Sequence, residues 1–244
     1  MNIKKIKINL STYVLIFLLL FSGYKKYLLY LLIVIIVHEL GHVFFIKLFN
    51  LKILNIEIYP FGGIIRINKN INYPPIKELL ISSGGIIFQL LLFFVNNDVL
   101  YNLNIRFIFI NLIPLVPLDG SKILYTLITY KFSFYYSYII YIILNIIFLL
   151  LYIYISVLND NLNLMLLSVV IISIYKEIKG FKKLINKFYL ERYLNKNILK
   201  KKKYYKKNNI KLLSREKEGF FFINYWENEE KILSKKFDIR TYFW

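Results

Sequence analysis

Cysteine is absent from this 244-residue chain, and histidine occurs only twice. The lack of cysteine excludes disulfide bonds, thiolate metal ligands and a cysteine nucleophile. Acidic residues are also scarce, with 14 Asp and Glu against 33 Lys and Arg, which gives a formal net charge of +19. Hydrophobic residues make up 58% of the chain. That share is too large for one soluble core of this size to bury, so a membrane protein is expected.

Six apolar runs have the length of about 17 to 25 residues that a transmembrane helix requires. The first run follows several lysines, as a signal peptide would. No small-residue cleavage site follows it, so we expect an uncleaved first helix. The sequence therefore predicts an all-α integral membrane protein with six transmembrane helices. The predicted spans lie near residues 8–23, 27–49, 78–95, 103–129, 134–157 and 162–179.

The distribution of basic residues predicts the orientation of these spans. The short segments on one side carry most of the Lys and Arg, and cytoplasmic loops are enriched in these residues. We therefore expect a multi-pass protein of the cell membrane with both termini in the cytoplasm. Two domains are predicted, a six-span core at residues 1–180 and a basic cytoplasmic tail at residues 181–244 that includes a small docking element.

Most of the positive charge belongs to the tail. The run NILKKKKYYKKNNIK, residues 197–211, has the composition of a nucleic-acid-binding patch when it is considered alone. It directly follows the last predicted span, however, where each Lys near anionic lipid contributes about 1 kcal/mol of binding. Anionic lipid is therefore an expected partner of the tail, and nucleic acid is not.

The second predicted span contains HELGH, in which the only two histidines flank Glu39. An ionisable residue at the bilayer centre costs about 2.5 to 3.5 kcal/mol on insertion scales, so its presence there indicates a functional site. On a helix, His38 and His42 lie one turn apart on the same face and can bind one zinc ion. Glu39 can then accept a proton from zinc-bound water and return it to a leaving amine. A structural histidine pair is the alternative.

A catalytic zinc site usually has three protein ligands, and Asp119 is the preferred third. It follows Pro114 and Pro117, which should break the fourth helix. Non-helical backbone at membrane depth is tolerated only where protein or a water-filled cavity satisfies it. Glu57 is the alternative ligand. It lies in LNIEIYPFGGIIRI, residues 54–67, whose alternation and turn residues predict a short β-hairpin.

HELGH in the second span and NLIPLVPLDG, residues 111–120, in the fourth resemble the site-2 intramembrane metalloproteases. The resemblance is strongest to their bacterial branch of stage IV sporulation protein FB, and it covers about residues 1–180. It implies a zinc metalloendopeptidase that cleaves a membrane-associated protein within or next to the bilayer. In the sporulation branch the substrate is an inactive sigma-factor precursor.

By this resemblance, His38, His42 and Asp119 bind one zinc ion per chain, and Glu39 is the catalytic carboxylate. Asn111 either donates a hydrogen bond to the substrate carbonyl or oxyanion, or caps the broken helix. The hairpin is expected to be membrane-associated and to offer an edge strand to an extended substrate; an ordinary connecting loop is the alternative. A membrane-associated protein substrate and regulatory membrane proteins are the expected partners.

The third span departs from the family pattern, which often has Gly-Pro followed by Asn. This chain has SSGGIIFQLLL, with Gly85 and Gln89 at those places. Gln89 could serve as a polar contact, but close helix packing through the small residues 82–85 is the preferred interpretation. A transporter with a broken helix near the midplane and a non-catalytic zinc-binding membrane scaffold are the alternative functions.

Overall fold

The structure is a computed structural model, and it is mostly helical. The expected all-α class is correct for the larger part of the chain, and two small sheets are added to it. The predicted first span, residues 8–23, lies largely outside the part of the chain that the structure describes. The described residues are 5–8, 12–13, 17, 21, 23, 25–59, 62–159, 164–194, 201–206, 209–222 and 226–237.

Seven α-helices are present among the described residues. Short 3-10 turns occur at Leu90–Phe94, directly after the second helix, and at Ile210–Leu212. The helices are α1 Lys25–Leu48, α2 Pro75–Gln89, α3 Asp98–Leu112, α4 Asp119–Lys131, α5 Phe134–Leu158, α6 Leu164–Leu194 and α7 Glu229–Phe237.

The described strands form two three-stranded sheets. In the first, the order is β1-β2-β3, with β1 parallel and β3 antiparallel to the central strand. Strands β2 and β3 pair antiparallel in the segment for which the sequence predicts a hairpin, and β1 is a third strand that the sequence does not predict. In the second sheet the order is β4-β5-β6. The strands are β1 Lys5–Ile8, β2 Lys52–Tyr59, β3 Gly62–Asn68, β4 Lys201–Tyr205, β5 Lys217–Phe222 and β6 Trp226–Asn228.

Three of the described helices are long and apolar enough to cross a membrane. They are α1, α2 together with its 3-10 extension to Phe94, and α5, and they agree closely with the predicted second, third and fifth spans. The predicted fourth span consists of two shorter helices, α3 and α4. The predicted sixth span is the first part of α6, which continues through the predicted boundary at residue 180. The domain boundary and the total of six spans stay predictions.

The fourth span breaks where its prolines require it. Helix α3 ends at Leu112 and α4 begins at Asp119. Within the break, the backbone N–H of Val116 donates to the side-chain oxygen of Asn145 at 2.9 Å. Asn145 lies on α5 and is 1% exposed, and its amide nitrogen donates to the carbonyl of Tyr141. A neighbouring span therefore satisfies backbone that the broken helix leaves without a helical partner.

The chain folds into two compact units, of which the first comprises Met1–Lys69, Leu79–Ile113 and Leu118–Gly120. Helices α1 and α2 approach each other closely in this unit. A Cβ added to Gly41 would lie 2.6 Å from the carbonyl carbon of Gly84, which leaves no room for a side chain. The small residues of α2 therefore permit close helix packing, as the sequence predicts. An apolar cluster of Val34, Leu92 and Leu100 completes this part of the core.

The second unit comprises Asn70–Glu78, Pro114–Pro117 and Ser121–Trp244. Its largest core cluster joins α5, the end of α6, the second sheet and α7, with Phe188, Phe221 and Leu233 fully buried. The tail residues within this unit are thus a folded element, with the basic residues 201–203 on strand β4. A buried ion pair also holds this folded tail together. Arg192 on α6 donates two hydrogen bonds to the Glu229 carboxylate on α7, at 3.0 and 2.7 Å.

Candidate metal centre

The two histidines of HELGH lie in the middle of α1, both on its buried side. His38 is 3% exposed and His42 is 8% exposed. The helix is continuous from Lys25 to Leu48, so residues four apart present their side chains one above the other. The Nε2 atoms of the two rings are 3.1 Å apart. The spacing of the motif therefore produces the converging pair that the sequence predicts.

Asp119 completes a group of three. Its Oδ2 atom lies 2.9 Å from Nε2 of His38 and 2.9 Å from Nε2 of His42, and its side chain is buried. Asp119 is the first residue of α4, directly after the break. Gly120 makes this position possible, since a Cβ there would lie 2.5 Å from the carbonyl oxygen of Ile113. The chain can therefore return close to the end of α3 only with glycine at residue 120.

Glu57, the alternative third ligand, is not part of this group. It lies on β2, where its carboxylate is 3.2 Å from the guanidinium of Arg66 on the paired strand. In the register of β2 and β3, Arg66 lies opposite Asn55, which is two residues before Glu57 on β2. Of the two candidate carboxylates that the sequence offers, the fold brings only Asp119 to the histidines.

The three atoms fit a tetrahedral zinc ion. Zn–N and Zn–O bonds of about 2.0 to 2.1 Å place adjacent ligand atoms of a tetrahedron about 3.3 Å apart. The observed separations of 2.9, 2.9 and 3.1 Å are slightly tighter. Three ligands leave a fourth position for water or substrate, as in catalytic zinc sites.

The second nitrogen of each imidazole is held by α2. His42 Nδ1 lies 2.7 Å from the carbonyl oxygen of Ile81, which can only accept, so Nδ1 carries the proton. His38 Nδ1 lies 2.9 Å from the side-chain oxygen of Gln89. Metal-binding histidines usually donate their other N–H in this way. The prediction that the third span serves close helix packing is therefore incomplete. Its glycines permit close packing, and Gln89 is also a polar contact of His38.

Glu39 is not one of the three grouped residues, and its carboxylate contacts the hairpin. The backbone N–H of Gly63, on β3, donates to Glu39 Oε1 at 2.6 Å. A Cβ on Gly63 would lie 2.9 Å from Glu39 Oε2, which is too close for an unstrained contact. The hairpin thus supplies a hydrogen bond to the carboxylate of HELGH. The sequence gives a signal for this contact only in the paired glycines of the turn.

Asn111 lies in the last turn of α3 and is 8% exposed. Its side-chain nitrogen donates to the carbonyl of Phe107, one turn earlier in the same helix, at 3.1 Å. This contact is neither a hydrogen bond to a substrate or oxyanion nor a cap of the broken helix, which are the two roles that the sequence suggests. Its role toward a substrate or an oxyanion stays a prediction.

Comparison with known proteins adds three findings. Residues 26–97 match the family model of Peptidase family M50. Stage IV sporulation protein FB of Bacillus subtilis (strain 168) is 30% identical over 147 residues, which cover 54% of this chain and 50% of that protein. The chain thus spans about half the length of this curated relative. The site-2 protease from Methanocaldococcus jannaschii matches with a TM-score of 0.47 and 22% identity, over 75% of this chain and 90% of that one. The first two matches bear out the resemblance that HELGH and NLIPLVPLDG indicate.

Proposed function

We propose that this chain is an intramembrane zinc metalloendopeptidase that cleaves a membrane-associated protein within or next to the bilayer. The observation that carries the proposal is the convergence of one Asp119 oxygen and two imidazole nitrogens, buried on an apolar helix, with Glu39 adjacent in sequence. A structural histidine pair has no need of a third, acidic group within 3 Å of both rings. The match to Peptidase family M50 supports the same reaction.

Each residue of the site has a distinct role in this proposal. His38, His42 and Asp119 hold the metal, and zinc supplies Lewis acidity and an acidified water molecule at the open position. Glu39 acts as general base toward the attacking water and as general acid toward the leaving amine. The Gly63 N–H restricts the carboxylate of Glu39 to one orientation, because a charge-assisted hydrogen bond of this kind is short and directional.

The hairpin is proposed to present the substrate. A transmembrane segment must become extended before its peptide bonds can be attacked, and an edge strand can hold it in that form by adding it to a sheet. In the order β1-β2-β3, strand β3 is at the edge. The same strand carries Gly63, whose amide is bonded to Glu39. A substrate strand paired with β3 would therefore lie near the general base.

The membrane topology and partners follow from the sequence. We propose six spans with both termini in the cytoplasm of a cell membrane, because basic residues cluster on that side. The basic residues 197–211 would bind anionic lipid. Regulatory membrane proteins are proposed as further partners. A sigma-factor precursor is the proposed substrate if the chain acts in sporulation, as the name of its Bacillus subtilis relative suggests.

Replacement of Glu39 by Gln tests the reaction. The variant should retain zinc, because Glu39 is not a ligand, and should lose cleavage. Zinc content of the purified protein and comparative proteomics of membranes from cells with native or Glu39→Gln protein provide the two measurements. A precursor that accumulates only with the variant identifies the substrate. Native protein that binds no zinc would favour a transporter, and membranes with identical peptides would favour a non-catalytic scaffold.

A further inference from the structure

Two buried amide side chains form a chain of hydrogen bonds behind His38. Gln89 ends α2 and Asn104 lies on α3, and both are 0% exposed. Gln89 Oε1 is 2.9 Å from His38 Nδ1, and Gln89 Nε2 is 3.2 Å from Asn104 Oδ1. Asn104 Nδ2 in turn lies 3.0 Å from the backbone oxygen of Gln89. The two hydrogen bonds between Gln89 and Asn104 thus form a closed ring, and the free end of the Gln89 amide faces His38.

The direction of every hydrogen bond in this chain follows from its backbone end. A carbonyl oxygen can only accept, so the group of Asn104 that faces it must be the amide nitrogen. Asn104 Oδ1 then faces Gln89 and accepts from Gln89 Nε2. This leaves Gln89 Oε1 toward His38, so His38 Nδ1 must donate. Rotation of either amide by 180° would place two acceptors or two donors against each other.

We propose that Gln89 and Asn104 are positioning residues that fix His38 as the Nδ1–H tautomer, with the lone pair of Nε2 directed at the zinc ion. The inference rests on the proposed zinc site and adds two residues to it. The two amides form hydrogen bonds with His38 and with each other. Their effect is transmitted through the ring of His38, in the way that outer-shell partners orient metal ligands.

The surroundings of His38 leave the amide of Gln89 as the polar group in contact with Nδ1. Phe107 packs edge-on against the ring at 5.3 Å. On the α2 side, Gly85 is so close that a Cβ would lie 2.5 Å from Nδ1. Without Gln89, the buried N–H would lose its acceptor in an apolar environment, which is costly. The ring would then be free to turn or to move its proton to Nε2, and either change opposes metal binding.

His42 provides an internal control for this inference. Its Nδ1 donates to the backbone oxygen of Ile81, a contact that does not depend on Gln89 or Asn104. The chain contains no other histidine. Protein labelled with ¹⁵N-histidine and loaded with zinc should therefore give two Nδ1–H resonances in detergent, both protected from exchange. The His38 resonance reports on the hydrogen bonds of Gln89 and Asn104, and the His42 resonance does not.

The experiment compares Gln89→Leu, Asn104→Leu and Gln89→Glu with the native protein. In Gln89→Leu the His38 Nδ1–H should exchange rapidly while the His42 signal persists, and zinc affinity, measured by competition with a chelator, should fall by about 10- to 100-fold. Asn104→Leu should have the same effect in weaker form. Gln89→Glu keeps an acceptor for Nδ1 and should retain the His38 resonance, but it loses the donor to Asn104 Oδ1, so its zinc affinity should fall only to the level of Asn104→Leu.

Leu100→Ala is the matched control for loss of stability. Leu100 is buried on the same helix as Asn104 but has no polar contact with the site. The Leu100→Ala substitution should lower the free energy of unfolding and leave the His38 resonance and the zinc affinity unchanged. The inference is overturned if Gln89→Leu retains both, or if Leu100→Ala loses them equally. Failure of the native protein to bind zinc would instead refute the proposed function.

Discussion

Gly41 is the position at which one added methyl group should weaken metal binding at the candidate centre without altering any of its three candidate ligands. In Gly41→Ala the Cβ would lie 2.6 Å from the carbonyl carbon of Gly84 on the facing helix. Carbon atoms in contact are normally at least about 3.5 Å apart, so α1 and α2 would have to separate by about 1 Å at this point. The obstructing atoms belong to the backbone, and no side chain can rotate to make room.

Separation of these helices acts directly on both histidines. The hydrogen bonds from His42 to Ile81 and from His38 to Gln89, at 2.7 and 2.9 Å, join the same two helices. An added 1 Å would take both beyond the range of about 2.7 to 3.2 Å in which N–H···O bonds form. Loss of one outer-shell bond typically lowers metal affinity about 10- to 100-fold. For two such bonds we expect a loss of about 10²- to 10⁴-fold in zinc affinity.

The assay is chelator competition on the purified variants in detergent, with helicity followed by circular dichroism. Gly180→Ala is the matched control, because Gly180 also lies within a helix, and beyond its own helix backbone an added Cβ would have no atom of the described residues within 4 Å. This variant should bind zinc as the native protein does. A Gly41→Ala protein that retains both helicity and native zinc affinity would refute the argument that helix separation controls the ligands.

Three further predictions concern other parts of the molecule. Asp119→Asn should abolish zinc binding while Glu57→Gln leaves it intact, and the opposite result would make Glu57 the third ligand. Gly63→Ala keeps the backbone N–H but places a Cβ 2.9 Å from Glu39 Oε2, so the carboxylate should be displaced from its hydrogen bond and kcat should fall by about 10- to 100-fold while zinc affinity is unchanged; an unaltered kcat would exclude a role for this contact. Arg215→Met removes the buried 2.6 Å ion pair with Glu78 and should destabilise the tail by about 3 to 5 kcal/mol, seen as faster proteolysis. Lys187→Met breaks the pair between the exposed Lys187 side chain and Glu191 and should lower the free energy of unfolding by less than about 1 kcal/mol. Equal sensitivity of the Arg215 and Lys187 variants to proteolysis would contradict this difference.

The parts of the site that the sequence predicts are those set by local geometry. His38 and His42 converge because residues four apart share a helix face, whatever surrounds the helix. Asp119 is predictable because Pro114 and Pro117 break an apolar span beside one of few carboxylates. The hairpin is predictable from its alternation and turn glycines. Each of these signals lies within about ten residues of the chain, where periodicity and turn chemistry decide the conformation.

The parts that the sequence does not predict depend on partners that are distant along the chain. Strand β1 pairs in parallel with β2 from about 50 residues away, and parallel pairing has no turn to indicate it. Strand β4 of the second sheet lies in residues 197–211, whose lysine-rich composition indicates lipid binding rather than a strand. Gln89 is interpreted from sequence mainly through its small neighbours, because its contacts with His38 and Asn104 require three helices to be placed first.

Apolar surroundings explain why buried amide side chains lie beside the break in the predicted fourth span and beside His38. Water is not available in hydrocarbon to satisfy an unpaired N–H or C=O group, and each one costs several kcal/mol there. The protein must therefore supply a partner for every polar group that the site introduces. Asn145 does so for the break in the fourth span, and Gln89 with Asn104 does so for His38. An amide within an otherwise apolar span thus indicates a nearby polar group that needs it, as Gln89 and Asn104 do for His38 and as Asn145 does for the backbone of Val116.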